Sequence, residues 1–395
     1  MWIEREISSE LTELARRHPV LVLTASRQVG KTSLLERLFT GHRYVTLDLA
    51  SNAEMAESRP AEFLRLHPPP LLVDEVQYAP GFLRDIKTTV DARRGENGLF
   101  VLTGSQNFLL MERVADSLAG RAAVIPFLGL SAREWAASRQ PPSADDWMDF
   151  LWRGAFPALW AAGKDSPGRD RWYQGYVATY LERDVRSLAN VGNLRDFERL
   201  LRAAAARCAQ TLNMSELARD VGVSPSTARQ WIGVLEASNQ VLLLEPYHRS
   251  LGKRLAKSPK LYFTDTGLAS FLMGFQSADA LRGSPLAGAL WENYVIVQWL
   301  RWRDWTQPAA ALWYWRNQSG DEVDLLIEHN ARLYPVECKL AERPGGHATR
   351  GIQRLRQLYG DSVARAFIAC TTETPFDIAP GITAVNGWQT WALDD

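Results

Sequence analysis

One stretch restricts this chain more than any other. The apolar run Val20–Thr24 passes directly into Ala25-Ser26-Arg27-Gln28-Val29-Gly30-Lys31-Thr32, and helical spacing follows over Thr32–Phe39. A strand, a loop ending in Gly-Lys-Thr and a helix form the arrangement in which exposed backbone N–H groups and the helix dipole cradle a phosphate chain. In that reading Arg27, Gln28, Val29, Gly30, Lys31, Thr32 and Ser33 contact the nucleotide, Lys31 reaching the β and γ phosphates and the Thr32 hydroxyl binding Mg²⁺. Ala25 stands where the pattern has its first glycine, which narrows the backbone choices of the loop.

Further short apolar runs at Tyr44–Leu49, Leu71–Val73 and Leu99–Leu102 alternate with helical or loop segments, so the first third reads as a parallel sheet covered by helices. Leu71-Leu72-Val73 ends in Asp74-Glu75. Asp74 is placed to hold Mg²⁺ through water and Glu75 to polarise an attacking water, as ATP hydrolysis requires. The next strand ends in Gly104-Ser105-Gln106, where Ser105 or Gln106 is positioned to sense the γ phosphate. Positive charge is also needed at the transferred group, and Arg121, Arg183 and Arg186 are the arginine-finger candidates, in cis or from a neighbouring subunit.

The chain has 395 residues with equal numbers of acidic and basic side chains, 45 each, so any nucleic-acid-binding surface has to be local. Cys208, Cys338 and Cys370 are scattered, without disulfide or zinc spacing, which points to a reducing cytoplasm. The acidic start lacks the pattern of a signal peptide, and even Ala289–Leu300 is interrupted by Glu292 and Asn293, so no membrane span is expected. The fifteen tryptophans are dispersed and read as core. Pattern changes place an ATPase core at 1–129, a helical lid or connector at 130–200, a winged helix-turn-helix at 201–283 and a second α/β module at 284–395.

Leu212–Ala237 contains two helical segments broken at Gly222-Val223-Ser224-Pro225, with Leu217, Ala218, Val223, Ala228, Ile232 and Leu235 as the interior. Ser224 caps the second helix and Pro225 opens it. This predicts a helix-turn-helix that offers Ser226, Thr227, Arg229 and Gln230 to DNA, followed by a wing strand at Gln240–Leu244. Pro246–Lys260 then carries Arg249, Lys253, Arg254, Lys257 and Lys260 without an acid, a run suited to phosphate contacts.

In the last module Asp321-Glu322-Val323-Asp324 precedes a polar turn around His329–Arg332 and the strand Leu333–Lys339. Pairing Glu328 with Leu333 puts Asp324 opposite Glu337, two like charges that a divalent cation would reconcile. Glu292, Asp324 and Glu337 are therefore expected metal ligands, Lys339 would serve the water or the transition state, and Gln353 would add a polar contact.

Arg27-Gln28-Val29-Gly30-Lys31-Thr32, Val73-Asp74-Glu75-Val76-Gln77, Leu102-Thr103-Gly104-Ser105, Ser117-Leu118-Ala119-Gly120-Arg121 and Tyr180-Leu181-Glu182-Arg183-Asp184 occur in one order. Tyr247-His248-Arg249, Leu251-Gly252-Lys253-Arg254, Lys257-Ser258-Pro259-Lys260 and Phe263-Thr264-Asp265-Thr266-Gly267-Leu268 follow them. With these segments the chain resembles the prokaryotic AAA+-type P-loop ATPases that carry a C-terminal domain of unknown function. The resemblance implies an ATPase core, a winged helix and a restriction-endonuclease-like end of the PD-(D/E)xK type, although Ala25-Ser26 stand where Gly-Pro is usual in that family. The expectation is an ATP- and Mg²⁺-dependent, DNA-binding motor or remodeller, a homo-oligomer up to a hexamer, acting on branched DNA and carrying a metal-dependent nuclease module. The alternative is an ATP-gated switch that recruits another protein and has a degenerate nuclease-like domain.

Overall fold

The computed structural model describes residues 2–104, 117–138, 142–161, 168–180, 194–248 and 258–393. They form two compact units: residues 1–134, 156–162 and 237–239 in one, 135–155, 163–236 and 240–395 in the other.

The first unit is built on five parallel strands, β1 (Val20–Thr24), β2 (Arg43–Thr46), β3 (Leu71–Asp74), β4 (Phe100–Gly104) and β5 (Ala122–Pro126), in the order β2-β3-β4-β1-β5. Every residue of β1, β3 and β4 is buried, as expected for strands covered on both faces, whereas β2 and β5 lie at the edges and are partly exposed. Helices α1 (Ser8–Arg17), α2 (Lys31–Leu38), α3 (Ala50–Ser58), α4 (Pro60–Leu66) and α5 (Phe82–Ala92) supply the cover. Phe63, Phe82, Phe100, Ile86 and Leu83 fill one core layer of this unit.

Ala132–Ala137 forms α6 at the division between the units, and Ala158–Ala161, α8, belongs to the first. The second unit holds α7 (Ala144–Arg153), α9 (Arg169–Tyr180), α10 (Leu194–Ala205), α11 (Met214–Val221) and α12 (Pro225–Ala237), the last extending into the 237–239 segment of the first unit. Strands β6 (Val241–Leu244) and β7 (Lys260–Phe263) form an antiparallel pair after α12. Helices α13 (Thr266–Leu272), α14 (Ala278–Arg282) and α15 (Ala287–Thr306) lead to β8 (Ala311–Arg316), β9 (Glu322–His329), β10 (Arg332–Cys338), α16 (Arg350–Tyr359), β11 (Ala366–Cys370), β12 (Phe376–Ala379) and β13 (Ile382–Asn386).

The C-terminal sheet has six strands in the order β12-β13-β11-β10-β9-β8. It is mixed: β8, β9 and β10 run antiparallel in turn, β10, β11 and β13 are parallel, and β12 returns antiparallel at the edge. Leu333 faces Glu328 as the sequence predicts, but the pairing continues to Arg332 opposite His329. The connection is therefore the two-residue Asn330-Ala331, with φ of 50° and 60°, and not a four-residue turn. Positive φ at both central positions matches the right-handed strand twist of a tight hairpin. On the helical side, Trp291 Nε1 of α15 donates to the Ala369 carbonyl at 3.1 Å, holding that helix on the sheet. Although α15 spans twenty residues, no helix among the described residues is long and apolar enough to cross a membrane.

The segment Phe263-Thr264-Asp265-Thr266-Gly267-Leu268 is a packing joint within this second unit. Asp265 caps α13, with Oδ1 accepting from Leu268 N at 2.6 Å and from the Tyr173 hydroxyl at 2.7 Å, while Oδ2 accepts from Ala155 N at 2.6 Å. A Cβ on Gly267 would lie 2.2 Å from the Tyr173 hydroxyl and 2.3 Å from the Arg153 carbonyl oxygen, so no larger residue fits.

Candidate functional site

The loop after β1 is shaped by two left-handed residues, Gln28 with φ 61° and Gly30 with φ 92°. Such a conformation turns successive N–H groups inward, the geometry of an anion nest. Ala25 is fully buried and continues the β1–β4 pairing through Ala25 N and the Gly104 carbonyl at 3.4 Å, so the residue in place of the first glycine packs as part of the strand. Helix α2 then starts at Lys31, whose buried ammonium donates to the carbonyls of Ala25 at 3.2 Å and Ser26 at 3.0 Å. Val29 is buried, Arg27 and Thr32 are half-buried, and Gln28 and Ser33 are exposed.

The sheet order brings the second element alongside. Although β4 lies between β1 and β3, the Thr32 hydroxyl donates to Asp74 Oδ2 at 2.9 Å. Asp74 also accepts from the Tyr44 hydroxyl at 3.1 Å and, through Oδ1, from the hydroxyl of Thr103 on the intervening strand. Burial, and then the Asp74 charge, push the Tyr44 phenol up to about 12. Glu75 adopts φ 57°, its N–H donating to Thr103 Oγ1 at 3.3 Å and its carboxylate accepting from the Gln77 amide. A non-glycine residue held at positive φ immediately after a strand is the kind of local strain that collects at working sites.

A hydroxyl beside one carboxylate suits Mg²⁺, which takes few protein ligands and completes its octahedron with water and substrate phosphates. Thr32 and Asp74 thus meet the requirement.

Arg5, which carries no motif, completes this region. Its guanidinium donates to the Val29 carbonyl at 2.9 Å, to those of Leu128 at 2.8 Å and Gly129 at 2.9 Å, and to Glu134 at 2.9 Å, and it lies 4.1 Å from the centre of the Phe127 ring. Glu134 is itself fixed by the N–H groups of Glu6 at 2.7 Å and Ser131 at 2.8 Å. Because the Val29 carbonyl is turned toward Arg5, the planar peptide directs the Gly30 N–H the opposite way.

Arg121 is placed elsewhere. It immediately precedes β5, and its carbonyl accepts from Val20 N at 3.2 Å, at the end of the sheet opposite the loop. Its guanidinium grips Asp91 at 2.7 and 3.0 Å, so it is no finger for the site of its own subunit. Ser105, Gln106, Arg183 and Arg186 lie outside the described residues.

In the second unit, Asn213 caps α11 and Gly222, with φ 85°, ends it; the Ser224 hydroxyl accepts from Thr227 N at 3.1 Å and Pro225 opens α12. Leu217, Ala218, Ala228, Ile232 and Leu235 are buried and Val223 is half-buried. Ser226, Arg229 and Gln230 are exposed along α12, while the hydroxyl of half-buried Thr227 pairs with Ser224 at 2.8 Å and so belongs to the cap. Arg249, Lys253, Arg254 and Lys257 lie outside the described residues.

Lys260 departs from its expected role. As the first residue of β7 it is 3% exposed, and its ammonium meets Glu292 Oε1 at 2.8 Å, Asp324 Oδ1 at 3.6 Å and Glu322. Burial alone would lower its pKa, but the carboxylates of Glu292, Asp324 and Glu322 prevail and hold it above the ordinary lysine range. This side chain is spent inside the protein and is not available to a DNA phosphate. The adjoining groups are also engaged: the Tyr262 hydroxyl donates to Glu292 at 2.6 Å, Cys338 N to Asp324 Oδ2 at 2.8 Å, and Lys339 Nζ to Glu337 at 2.7 Å. Burial and the neighbouring Asp324 push Glu292 up to about 7 and Glu337 up to about 8. Among the described residues no group of three or more His, Cys, Asp or Glu is arranged to hold a metal ion. The expected set of Glu292, Asp324 and Glu337 does not fit one, because the Lys260 ammonium pairs with the first two and the Lys339 ammonium with the third. Gln353 is exposed on α16.

Comparison with known proteins agrees with the geometry of the first unit. Residues 17–136 match the model of an AAA domain, residues 144–279 a domain of unknown function, DUF8612, and residues 287–389 another, DUF4143. An uncharacterized protein of Mycobacterium tuberculosis is 32% identical over 98% of this chain and 85% of its own length. One of Haemophilus influenzae is 24% identical over 73% of this chain and 70% of its own. Among solved structures, a Walker-type ATPase of Pyrococcus abyssi is 15% identical, covering 69% of this chain and 96% of that one with a TM-score of 0.45.

Proposed function

The chain belongs to the family of P-loop AAA-type ATPases with a C-terminal domain of unknown function, and from that premise we propose that it is an ATP-hydrolysing, DNA-binding remodeller. The observation that carries the reading is the 2.9 Å bond between Thr32 and Asp74, which joins the phosphate loop to the acidic strand end. In this reading the inward N–H groups of Gln28 to Lys31 receive the phosphates, and Lys31 leaves the carbonyls of Ala25 and Ser26 for the β and γ oxygens. Thr32 and Asp74 hold Mg²⁺, which when bound neutralises phosphate charge. Glu75 orients the attacking water, with the Gln77 amide fixing its carboxylate. The exposed face of α12, with Ser226, Arg229 and Gln230, enters the DNA groove, and the basic residues before Lys260 take the backbone. Branched DNA as substrate, and a homo-oligomer in which a neighbour supplies the arginine finger, extend the same proposal.

A second reading, an ATP-gated switch that recruits another protein, is favoured by the ion-paired state of the carboxylate cluster, which suits a nuclease-like domain without cutting activity. ATP turnover of wild type and Lys31→Ala across duplex, single-stranded and branched DNA tests both. The remodeller reading expects turnover that is lost in Lys31→Ala, stimulated by DNA, and accompanied by binding that weakens steeply with salt. Turnover indifferent to every DNA leaves the switch.

A further inference from the structure

We infer that the carboxylate cluster of the C-terminal sheet is the socket for the protein's own Lys260, an internal pin that roots the wing on that sheet, and that it is not a metal-dependent hydrolytic centre. A divalent cation needs carboxylate oxygens converging on a point that no protein atom fills, at roughly 2.0–2.6 Å. Here two of the three expected ligands are held by the Lys260 ammonium, 2.8 Å from Glu292 and 3.6 Å from Asp324, with Glu322 also in contact and only 3% of the lysine side chain exposed, and the third, Glu337, is held by Lys339.

The residues around it are arranged for the lysine. Asp324 has its second oxygen on the Cys338 N–H at 2.8 Å, and Glu292 shares its oxygen with the Tyr262 hydroxyl at 2.6 Å. Lys339, which in a nuclease would face the reacting water, is bound to Glu337 at 2.7 Å. An ammonium is a compact charge with three donors, so it satisfies several carboxylates at hydrogen-bond distance where a cation in direct coordination would demand closer oxygens.

The backbone shows what the pin secures. Just after β6, Glu245 and Tyr247 are both tied to Tyr314 of the edge strand β8, through Tyr314 N to the Glu245 carbonyl at 3.1 Å and Tyr247 N to the Tyr314 carbonyl at 2.7 Å. Just before β7, the Ser258 carbonyl accepts from the Tyr314 hydroxyl at 2.6 Å, and two residues later Lys260 enters the cluster. The residue after β6 and the residue two before β7 are therefore both fastened to one edge strand of the C-terminal sheet.

The test uses the full-length protein without nucleotide, titrated with Mn²⁺ by calorimetry and melted with and without millimolar Mn²⁺. Wild type is expected to take up no Mn²⁺ in the micromolar range, to melt at the same temperature in its presence and to leave DNA uncut. Lys260→Met removes the internal cation while leaving its carboxylates buried, so its melting temperature is expected to fall by about 5 °C or more. Lys260→Arg, which keeps a cation, should lose less, and Lys260→Met/Asp324→Asn, which removes a carboxylate with its partner, should recover part of the loss. This double variant is also the recourse if Lys260→Met does not fold. One tightly held Mn²⁺ in wild type that disappears in Asp324→Ala, or DNA cleavage lost in the same variant, would overturn the inference. So would a Lys260→Met protein as stable as wild type, or a double variant no better than an unfolded single one.

Discussion

Arg5 offers a direct test of how the nucleotide site is held in shape. Its guanidinium binds three main-chain carbonyls, one of them Val29 in the phosphate loop, and the buried Glu134 carboxylate. Arg5→Ala strands that carboxylate, and removing one partner of a buried pair costs roughly 3–5 kcal/mol. Glu134 keeps its bonds from the N–H groups of Glu6 and Ser131, which favours the lower end of the range. With a loss of about 3 kcal/mol, at roughly 2–4 °C per kcal/mol for a domain of this size, the first unit should melt about 10 °C lower. Arg5→Lys is the more informative change, because it retains a charge for Glu134 but replaces a rigid fork of five donors by one ammonium that cannot reach all three carbonyls. Releasing the Val29 carbonyl frees the Val29–Gly30 peptide to rotate. If about 1.4 kcal/mol of that lost order has to be restored on binding, ATP affinity falls tenfold. Calorimetric titration with a non-hydrolysable ATP analogue measures it, and steady-state turnover should show a raised KM with a smaller change in kcat. An Arg5→Lys protein that binds the analogue as tightly as wild type, together with an Arg5→Ala protein of unchanged melting temperature, would refute the reasoning.

Three further outcomes are expected. Thr32→Val keeps the shape of the side chain but removes the hydroxyl bonded to Asp74, and ATP turnover should drop on the order of a hundredfold with the far-ultraviolet dichroism unchanged. Arg229→Ala, on the exposed face of α12, should weaken DNA binding and lower the slope of log K against log salt by about 1 if the residue meets a phosphate, without altering the DNA-free ATPase rate. Gly267→Ala forces a methyl group to within 2.2 Å of the Tyr173 hydroxyl and 2.3 Å of the Arg153 carbonyl oxygen, an overpacking that should cost about 1–3 kcal/mol or more, read as a lower denaturant midpoint.

The nucleotide site was legible where its chemistry sits in unbroken segments. The loop through Thr32 and the acids after β3 announce themselves because strand, turn and helix must follow one another at fixed spacing. What the sequence hid depends on distant backbone. Arg5 acts on carbonyls, which leave no mark in residue type, at separations of 24 to 124 residues. Thr103 and Tyr44 reach Asp74 only because β4 and β2 flank β3. The strand pattern read from the sequence does not contain β5, β7, β12 and β13: β12 is a partly exposed edge strand interrupted by Asp377, β7 is hidden by the charge run that ends at Lys260, and β5, although apolar throughout, is partly exposed at the other edge.

Lys260 shows why a charge run should be divided where a strand begins. Counted with Arg249, Lys253, Arg254 and Lys257 it reads as one more phosphate contact. Yet Leu261-Tyr262-Phe263 follows it without a break, and alternation along a strand puts Lys260 and Tyr262 on one face. Both side chains end on the same oxygen of Glu292, at 2.8 and 2.6 Å. The two-residue alternation of a strand thus converts an isolated base into the counterion of the acids that the motif had collected. A lysine that opens an apolar strand in a chain carrying an unpaired carboxylate motif should be sought first among those carboxylates, since burying either charge without the other is the costlier arrangement.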